Sequence, residues 1–551
     1  MRAPSTKSTA VPVRFFLGIL IPSILALSSS YAALVMASAN WAAAVRLGAI
    51  YPDDTTRNHF FLHDGMPIRA FTAAAWERAQ GLFGAGALLL VGTWLLLALV
   101  LPAGRRELRA LATELRQMGG RTWQQWRALS VGQRRFFSGQ LLLLTALRLY
   151  FSRTLMWYDD ATSYDLFVQH GLLAVGAYYP LPNNHEFSNL ISLGFYQFYP
   201  GFWWSMRLPV LLTSTAATGL LFLLALRRLG YWPALLAAGA ASWLNQGLFY
   251  AAYGRGYWLA LLLASLLFWA LLALLDPPAA PARARVAWLV LVGAGVLGSY
   301  TVPTFVYVLV STWSWLGWQA LRRRRWALLQ RGVMAGLLVG GGSLACYGPT
   351  LYVSGWRALA ANPYLQPQGF QQPLTWQGIP GYLWKLESYL GGQSHFGALT
   401  AGLAIGVFGW AAWQARVGKL PLAARQQVQQ VGWPALWFMV SAYFLLPLLH
   451  VFPPERTWLY KAWFCFLLLA VGLATWSWTP VRRWALGVVC GVFALYQVRA
   501  LLIDSRGYWR YLVTHATPKQ TGDYKWFETH LDVPYPGVRV APVPAGATPL
   551  K

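Results

Sequence analysis

Acidic residues are scarce in this chain, with 17 Asp and Glu against 44 Lys and Arg. Charged residues of both signs fill only 11% of its 551 positions. Ordinary soluble domains carry about a quarter charged residues, so a soluble globular enzyme is excluded. Cysteine is nearly absent as well. Cys346, Cys465 and Cys490 each sit in an apolar run without the paired spacing of a metal site. They read as small core or lipid-facing residues, and no structural disulfide is expected. No repeat or low-complexity segment stands out. A cleavable signal is missing too: the basic start leads into an apolar run of about 24 residues without a small-x-small site, which reads as a retained anchor.

What the chain has instead is apolar length. Hydrophobic residues make up 57% of the positions, and runs long enough to cross a bilayer recur. They fall near 14–37, 82–101, 138–156, 207–226, 233–250, 257–275, 286–301, 303–320, 332–351, 397–414, 433–450, 459–478 and 484–503. The fold class expected is therefore an all-α polytopic membrane protein of about thirteen transmembrane helices. A net charge of +27 would suggest nucleic acid in a soluble chain, but its distribution follows the membrane. With the N-terminus in the cytoplasm, inner segments hold 25 basic and 3 acidic residues (Glu107, Glu114, Asp276). Outer segments hold 16 basic and 14 acidic. That asymmetry orients the chain with its C-terminus outside, as in a bacterial inner membrane, and no nucleic-acid partner is expected. Pro303 interrupts the stretch 286–321, and basic clusters on both flanks require two crossings with a tight outer turn near Ser299 to Thr304. The apolar segment 186–206 reads as an outer-surface piece. The Trp residues cluster near span ends, where amphipathic rings anchor at the interface.

Three regions follow. Residues 1–137 form a two-helix membrane module with a basic cytoplasmic loop at 103–137, in which Leu108, Leu111, Leu115 and Met118 have the spacing of an amphipathic helix on anionic headgroups. Residues 138–503 form the main transmembrane module, with extended outer loops at 157–206 and 352–396. Residues 504–551 form an outer tail. A further outer stretch is 38–81. Function is expected on the long outer loops, above all on 157–206. There Asp159, Asp160 and Asp165 precede a surface helix expected over Ala161 to Ala177. Pro180-Leu181-Pro182 then forces an extended approach to Asn183, Asn184, His185 and Glu186.

Adjacent carboxylates at a membrane surface offer a proton acceptor for an alcohol or sugar hydroxyl. Which of Asp159 and Asp160 serves is not legible from adjacency, and a solvated helix-end pair is the plainer alternative. His185, Glu186, Asn184 and Asn183 can read hydroxyls, or His185 can join the two Asp around a divalent cation such as Mg or Mn. The spacing is not diagnostic, so metal dependence is left open. Outer cations complete the candidate site. Arg255 lies in Tyr253-Gly254-Arg255-Gly256-Tyr257, where glycines let backbone approach a ligand; Arg456 follows Pro453-Pro454-Glu455, and Lys461 lies in the next span. Arg148 and Arg153 precede the acid pair on its own helix, and such residues face a cavity or an acid, with Glu455 and Asp160 as candidate partners. Trp157 and Trp384 are candidates for stacking on a sugar.

The outward acid pair, the Asn-Asn-His of the same loop, RLPVLLTSTAATGLLFLLALRRLG, YGRGYWLALLLASLLFWALL, YTVPTFVYVL and PPERTWLYKAWFCFLLLAVGL together resemble the GT-C membrane glycosyltransferases. Nearest in pattern are the protein O-mannosyltransferase-like and aminoarabinose-transferase-like groups. The resemblance covers roughly 138–503; residues 1–137 depart from it. It implies inverting transfer of a sugar from a polyprenyl-phosphate donor to a lipid, glycan or protein acceptor on the outer face. It also implies an acid base at Asp159 or Asp160, and donor-phosphate binding by Arg255, Tyr257, Arg456, Lys461 and Arg153. A polyprenyl-diphosphate-glycan ligase, a lipid or sugar flippase and a non-catalytic scaffold are the alternatives from other classes. The chain shows no related halves of the transporter kind.

Overall fold

The computed structural model describes residues 13–49, 71–154, 158–180, 182–276, 284–360, 378–390, 396–449, 453–476 and 479–515. Every regular element among them is a helix, as expected where no water is at hand to satisfy backbone polar groups. The first stretch holds α1 (Val13–Ala37), α2 (Trp41–Ala49), α3 (Ala73–Val100), α4 (Pro102–Ala128) and α5 (Val131–Thr154). The region that follows holds α6 (Tyr158–Leu166), α7 (Leu172–Ala177) and α8 (Glu186–Phe198). Next come α9 (Trp203–Leu229), α10 (Tyr231–Trp243), α11 (Asn245–Ala252), α12 (Tyr257–Leu275), α13 (Ala284–Thr301), α14 (Val306–Arg322) and α15 (Trp326–Val353). The last are α16 (Trp356–Ala360), α17 (Gly378–Leu390), α18 (Phe396–Arg416), α19 (Trp433–Leu449), α20 (Leu459–Ala474) and α21 (Pro480–His515).

Nine of these helices among the described residues are long and apolar enough to cross a membrane. Helices also stand at the four other expected positions, each with a visible departure. Arg148 and Arg153 interrupt the apolarity of α5, and an extended Leu244 divides the run 233–250 into α10 and α11. The two remaining helices, α14 and α19, have 17 residues each. The break expected near Pro303 falls where Val302 turns extended and Pro303–Phe305 form a 3-10 turn. At 13 residues, about 20 Å long, α8 is too short to span.

Lipid removes most of the hydrophobic force between helices, so close packing and polar contacts hold them. Gly472 of α20 is one such contact: a Cβ there would meet Val407 of α18 at 2.7 Å. Ser311 and Ser441 share a hydrogen bond of 2.6 Å between α14 and α19. The first helix belongs to the same core, since Phe15, Phe16, Ile19 and Leu20 pack in one cluster with Trp288 and Leu291 of α13. On the basic loop the expected amphipathic helix is α4. It is tied to the bundle by both kinds of contact: Arg285 donates to Glu107 (2.8 Å) and Glu114 (2.7 Å), and Leu108 and Leu111 pack into the main apolar cluster, while Leu115 and Met118 stay exposed. Ser130 and Gln133 exchange hydrogen bonds of 3.0 and 3.2 Å that start α5.

The surface helix expected over 161–177 is corrected. Gly171, at φ 86°, separates α7 from the 3-10 turn Val168–His170, a backbone conformation that suits glycine. Residues 173–177 are buried rather than superficial. They lie against α1 and α15, where Thr350 donates to Gly176 O (3.0 Å) and Ser354 to Ala177 O (2.8 Å). About half of the stretch 352–396 (361–377 and 391–395), Trp157 and the tail beyond residue 515 lie outside the described residues.

Candidate active site

Asp159 and Asp160 occupy the first turn of α6, where carboxylates suit the helix N-terminus. Neighbours on a helix diverge by about 100°, and that divergence separates the pair. Asp160 points inward and is fully buried. It accepts from Arg207 Nε (2.9 Å), the Gly254 N–H (3.3 Å) and the Ala161 N–H (3.1 Å). Arg207 is itself buried at the start of α9 and donates to Ser152 O at 2.8 Å. Burial pushes the Asp160 carboxyl above the usual carboxylate range, with Arg207 pulling against it. Asp159 points the other way, with 23% of its side chain exposed. Its Oδ2 is itself buried, lies 3.4 Å from Arg456 Nη2 and has no hydrogen-bond partner among the described residues. Arg456 is 37% exposed, on the 3-10 turn Glu455–Trp458 that leads into α20.

Arg255 fastens this arrangement. It is buried, and Nη1 donates to Asn183 O (2.7 Å), Ser163 Oγ (2.8 Å) and Asp159 O (3.2 Å). Its Nη2 lies 2.9 Å from His185 Nε2. With its terminal nitrogens engaged in the loop, Arg255 is a brace here, and the part-exposed guanidinium beside the acid is Arg456. Asn183 donates to Asp159 O (3.0 Å), and Asn184 to Val175 O (2.8 Å) and Tyr178 O (3.1 Å). Both asparagines thus shape the loop. His185 meets Arg255 on one nitrogen and the Gly256 N–H (3.2 Å) on the other, with Tyr257 edge-on at 5.0 Å. Burial and Arg255 hold the ring well below its ordinary pKa, so it is neutral.

The three groups considered for a divalent ion do not converge. Asp160 is turned to Arg207 and His185 to Arg255, and no group of three His, Cys, Asp or Glu side chains suited to a metal occurs among the described residues.

Glu186 is fully buried, and no hydrogen bond joins its carboxylate to this cluster among the described residues. Lys461 is also buried, and is paired with Glu387 of α17 at 2.5 Å and with the Tyr443 hydroxyl. It is engaged in holding α17, alongside Lys385 to Glu455 (2.7 Å) and Tyr382 to Pro453 O (2.6 Å). Neither acid considered for Arg148 and Arg153 takes them: Glu455 pairs with Lys385 and Asp160 with Arg207. Arg148 lies 4.6 Å from the Trp258 ring and donates to Thr218 (3.1 Å), whereas Arg153 lies 3.6 Å from the Trp203 ring. These indole faces supply the negative electrostatic surface an acid would have supplied. Trp384 is 51% exposed on α17.

Sequence reasoning missed Arg207 and Glu387. Arg207 sits at the start of an apolar run, in Met206-Arg207-Leu208-Pro209, like an ordinary interface residue. The available signal was that a buried acid beside it needs a cation. The chain matches no protein-family model and no curated protein sequence.

Proposed function

We propose that this protein is a membrane glycosyltransferase that moves a sugar from a polyprenyl-phosphate donor to an acceptor hydroxyl on the outer face, with inversion. The observation that carries the reading is the part-exposed Asp159 carboxylate beside the part-exposed Arg456, on a frame of buried Arg207 and Arg255. Asp159 takes the hydroxyl proton as the acceptor oxygen bonds to the anomeric carbon. The bond from that carbon to the phosphate oxygen breaks on the opposite face, and its electron pair leaves with the phosphate. Arg456, which meets Asp159 here, parts from it when the sugar lies between them and balances the charge that grows on the phosphate, an interaction stronger in the transition state than in the bound donor. Asp160 does no proton transfer in this scheme; it holds α6 against α9. The GT-C resemblance of the sequence points the same way.

The test uses purified protein and a synthetic short-chain polyprenyl-phosphate sugar, scoring lipid phosphate released and acceptor glycosylated. Release coupled to glycosylation is expected. Passage of the intact donor across a proteoliposome bilayer, with no release for any acceptor tried, favours a flippase instead.

The reading includes thirteen crossings in the inner membrane, with α6 and α8 outside and α4 in the cytoplasm, from the charge asymmetry. In a protein whose native cysteines are replaced, Gln197→Cys is expected to react with an impermeant thiol reagent in intact cells, and Gln124→Cys only after lysis. Both positions are exposed, so the reverse pattern inverts the topology and removes the site from the outer face.

A further inference from the structure

A cavity of about 520 Å³ lies between α1, α8, α12 and α13. Along α13 it runs from Leu289 to Tyr300, about 16 Å at the helical rise. Its body is apolar, with Leu27, Leu266 and Gly293 among its walls, and none of its lining residues is charged. Polar groups gather at one end. There Tyr31 of α1 and Tyr300 share a hydrogen bond of 2.7 Å. Glu186 stands behind this end, outside the lining itself but near enough to act electrostatically on Tyr31 and Tyr300; it is fully buried, and neither carboxylate oxygen has a hydrogen-bond partner among the described residues. The nearby Tyr347 hydroxyl has one proton, which goes to Ser299 O at 2.9 Å. A buried acid is costly when ionised; its own backbone N–H and Tyr347 favour the carboxylate, but burial outweighs them and pushes Glu186 well above the carboxylate range, which favours the neutral carboxyl.

The cavity is separate from the Asp159 cluster. His185 turns to Arg255 while its neighbour Glu186 does not. Thr301, next to Tyr300, packs on the far side, where a Cβ on Gly256 would meet its Cγ2 at 2.7 Å. Along α1 the cavity opens to the surroundings, where Leu27 is 69% exposed.

We propose that this cavity binds one chain of an uncharged lipid alcohol, whose hydroxyl meets the Tyr31–Tyr300 pair in front of Glu186. An elongated apolar space among membrane helices suits a single alkyl or isoprenoid chain. The head is uncharged on electrostatic grounds. A phosphate would face an acid with no cation in the lining, and an amine would require Glu186 to ionise in dry surroundings. A hydroxyl both donates and accepts, which matches two phenols with a neutral carboxyl behind them. The proposal is independent of the transfer reaction and assigns a role to α1, which lies outside the resemblance.

The experiment is photolabelling of the purified full-length protein with a diazirine-bearing hexadecanol, followed by peptide mapping. Labels are expected on α1 and α13, with competition by hexadecanol stronger than by hexadecyl phosphate or hexadecylamine. Gly293→Leu is expected to cut labelling at least tenfold with an unchanged melting temperature, because a Cβ there meets nothing within 4 Å and the rest of the side chain fills the cavity. Glu186→Gln keeps a neutral hydrogen-bonding group and is expected to retain most of the labelling. Glu186→Leu is expected to lose about tenfold, the scale of one hydrogen bond to a buried group. Should Glu186→Leu fail to fold, Gly293→Leu and the headgroup ranking decide. Labelling indifferent to Gly293→Leu, or a phosphate or amine head competing best, overturns the proposal.

Discussion

Asp159→Asn is expected to lower turnover by about two to four orders of magnitude, the usual scale for loss of a general base, while the melting temperature stays near wild type. Asp160→Asn is expected to do the reverse, shifting melting more than chemistry. The contrast follows from geometry. Among the described residues Asp159 Oδ2 has no hydrogen-bond partner and one long contact to the part-exposed Arg456, so little of the fold depends on it. Asp160 binds Arg207, Gly254 and Ala161 from a fully buried position. Single-turnover release of lipid phosphate and thermal unfolding in the same detergent give both readouts. Equal losses of turnover in the two variants, with no stability difference, would return the base assignment to an undivided pair.

Arg207→Met is expected to destabilise the protein by about 3–5 kcal/mol, since removing one partner of a buried ion pair leaves the other charge uncompensated. The loss should depend on pH in a definite direction. Without Arg207, the folded-state pKa of Asp160 rises further above its unfolded value of about 4. The protonated form then suits the fold, and stability is lost as pH rises through the raised value. The deficit relative to wild type is therefore smaller at pH 5 than at pH 8. Asp160→Leu combined with Arg207→Met removes both charges and should recover most of the loss. A single Arg207→Met variant that melts like wild type at pH 8 would show that the pair does not anchor α6.

Apolar runs made the helices legible, because a spanning segment must carry its hydrophobicity in its own sequence. Helices of 17 residues such as α14 and α19 were as visible as the 28-residue α15. The outer acid pair and its Asn-His loop were visible for the same reason: polar residues stand out on an apolar chain. Their division of labour was not. It depends on the rotation of α6 about its axis and on Arg207, which is 47 positions away. Lys461 and Glu387, 74 apart, show the same limit, since an isolated basic residue does not announce its partner. The helix expected over 161–177 failed locally, at Gly171, where a single positive φ turns the chain inward. The surface assignment failed with it, because the small residues of α7 suit a helix pressed between two others as well as they suit a loop.

The ionic contacts of the site also set an order of events during synthesis. Asp160 leaves the ribosome 47 residues ahead of Arg207, an interval of about 2–10 s at ordinary elongation rates. Arg456 follows Asp159 by about 300 residues, or about 15–60 s at the same rates. Throughout that wait Asp159 lacks the cation that faces it, and α17, once made, still waits for the lysine that lies 74 positions beyond Glu387. A nascent chain stopped between α6 and Arg456 thus has its bundle begun and its acid pair made, yet cannot assemble this cluster. The cluster is complete only with the last fifth of the chain, whatever the early helices have already achieved.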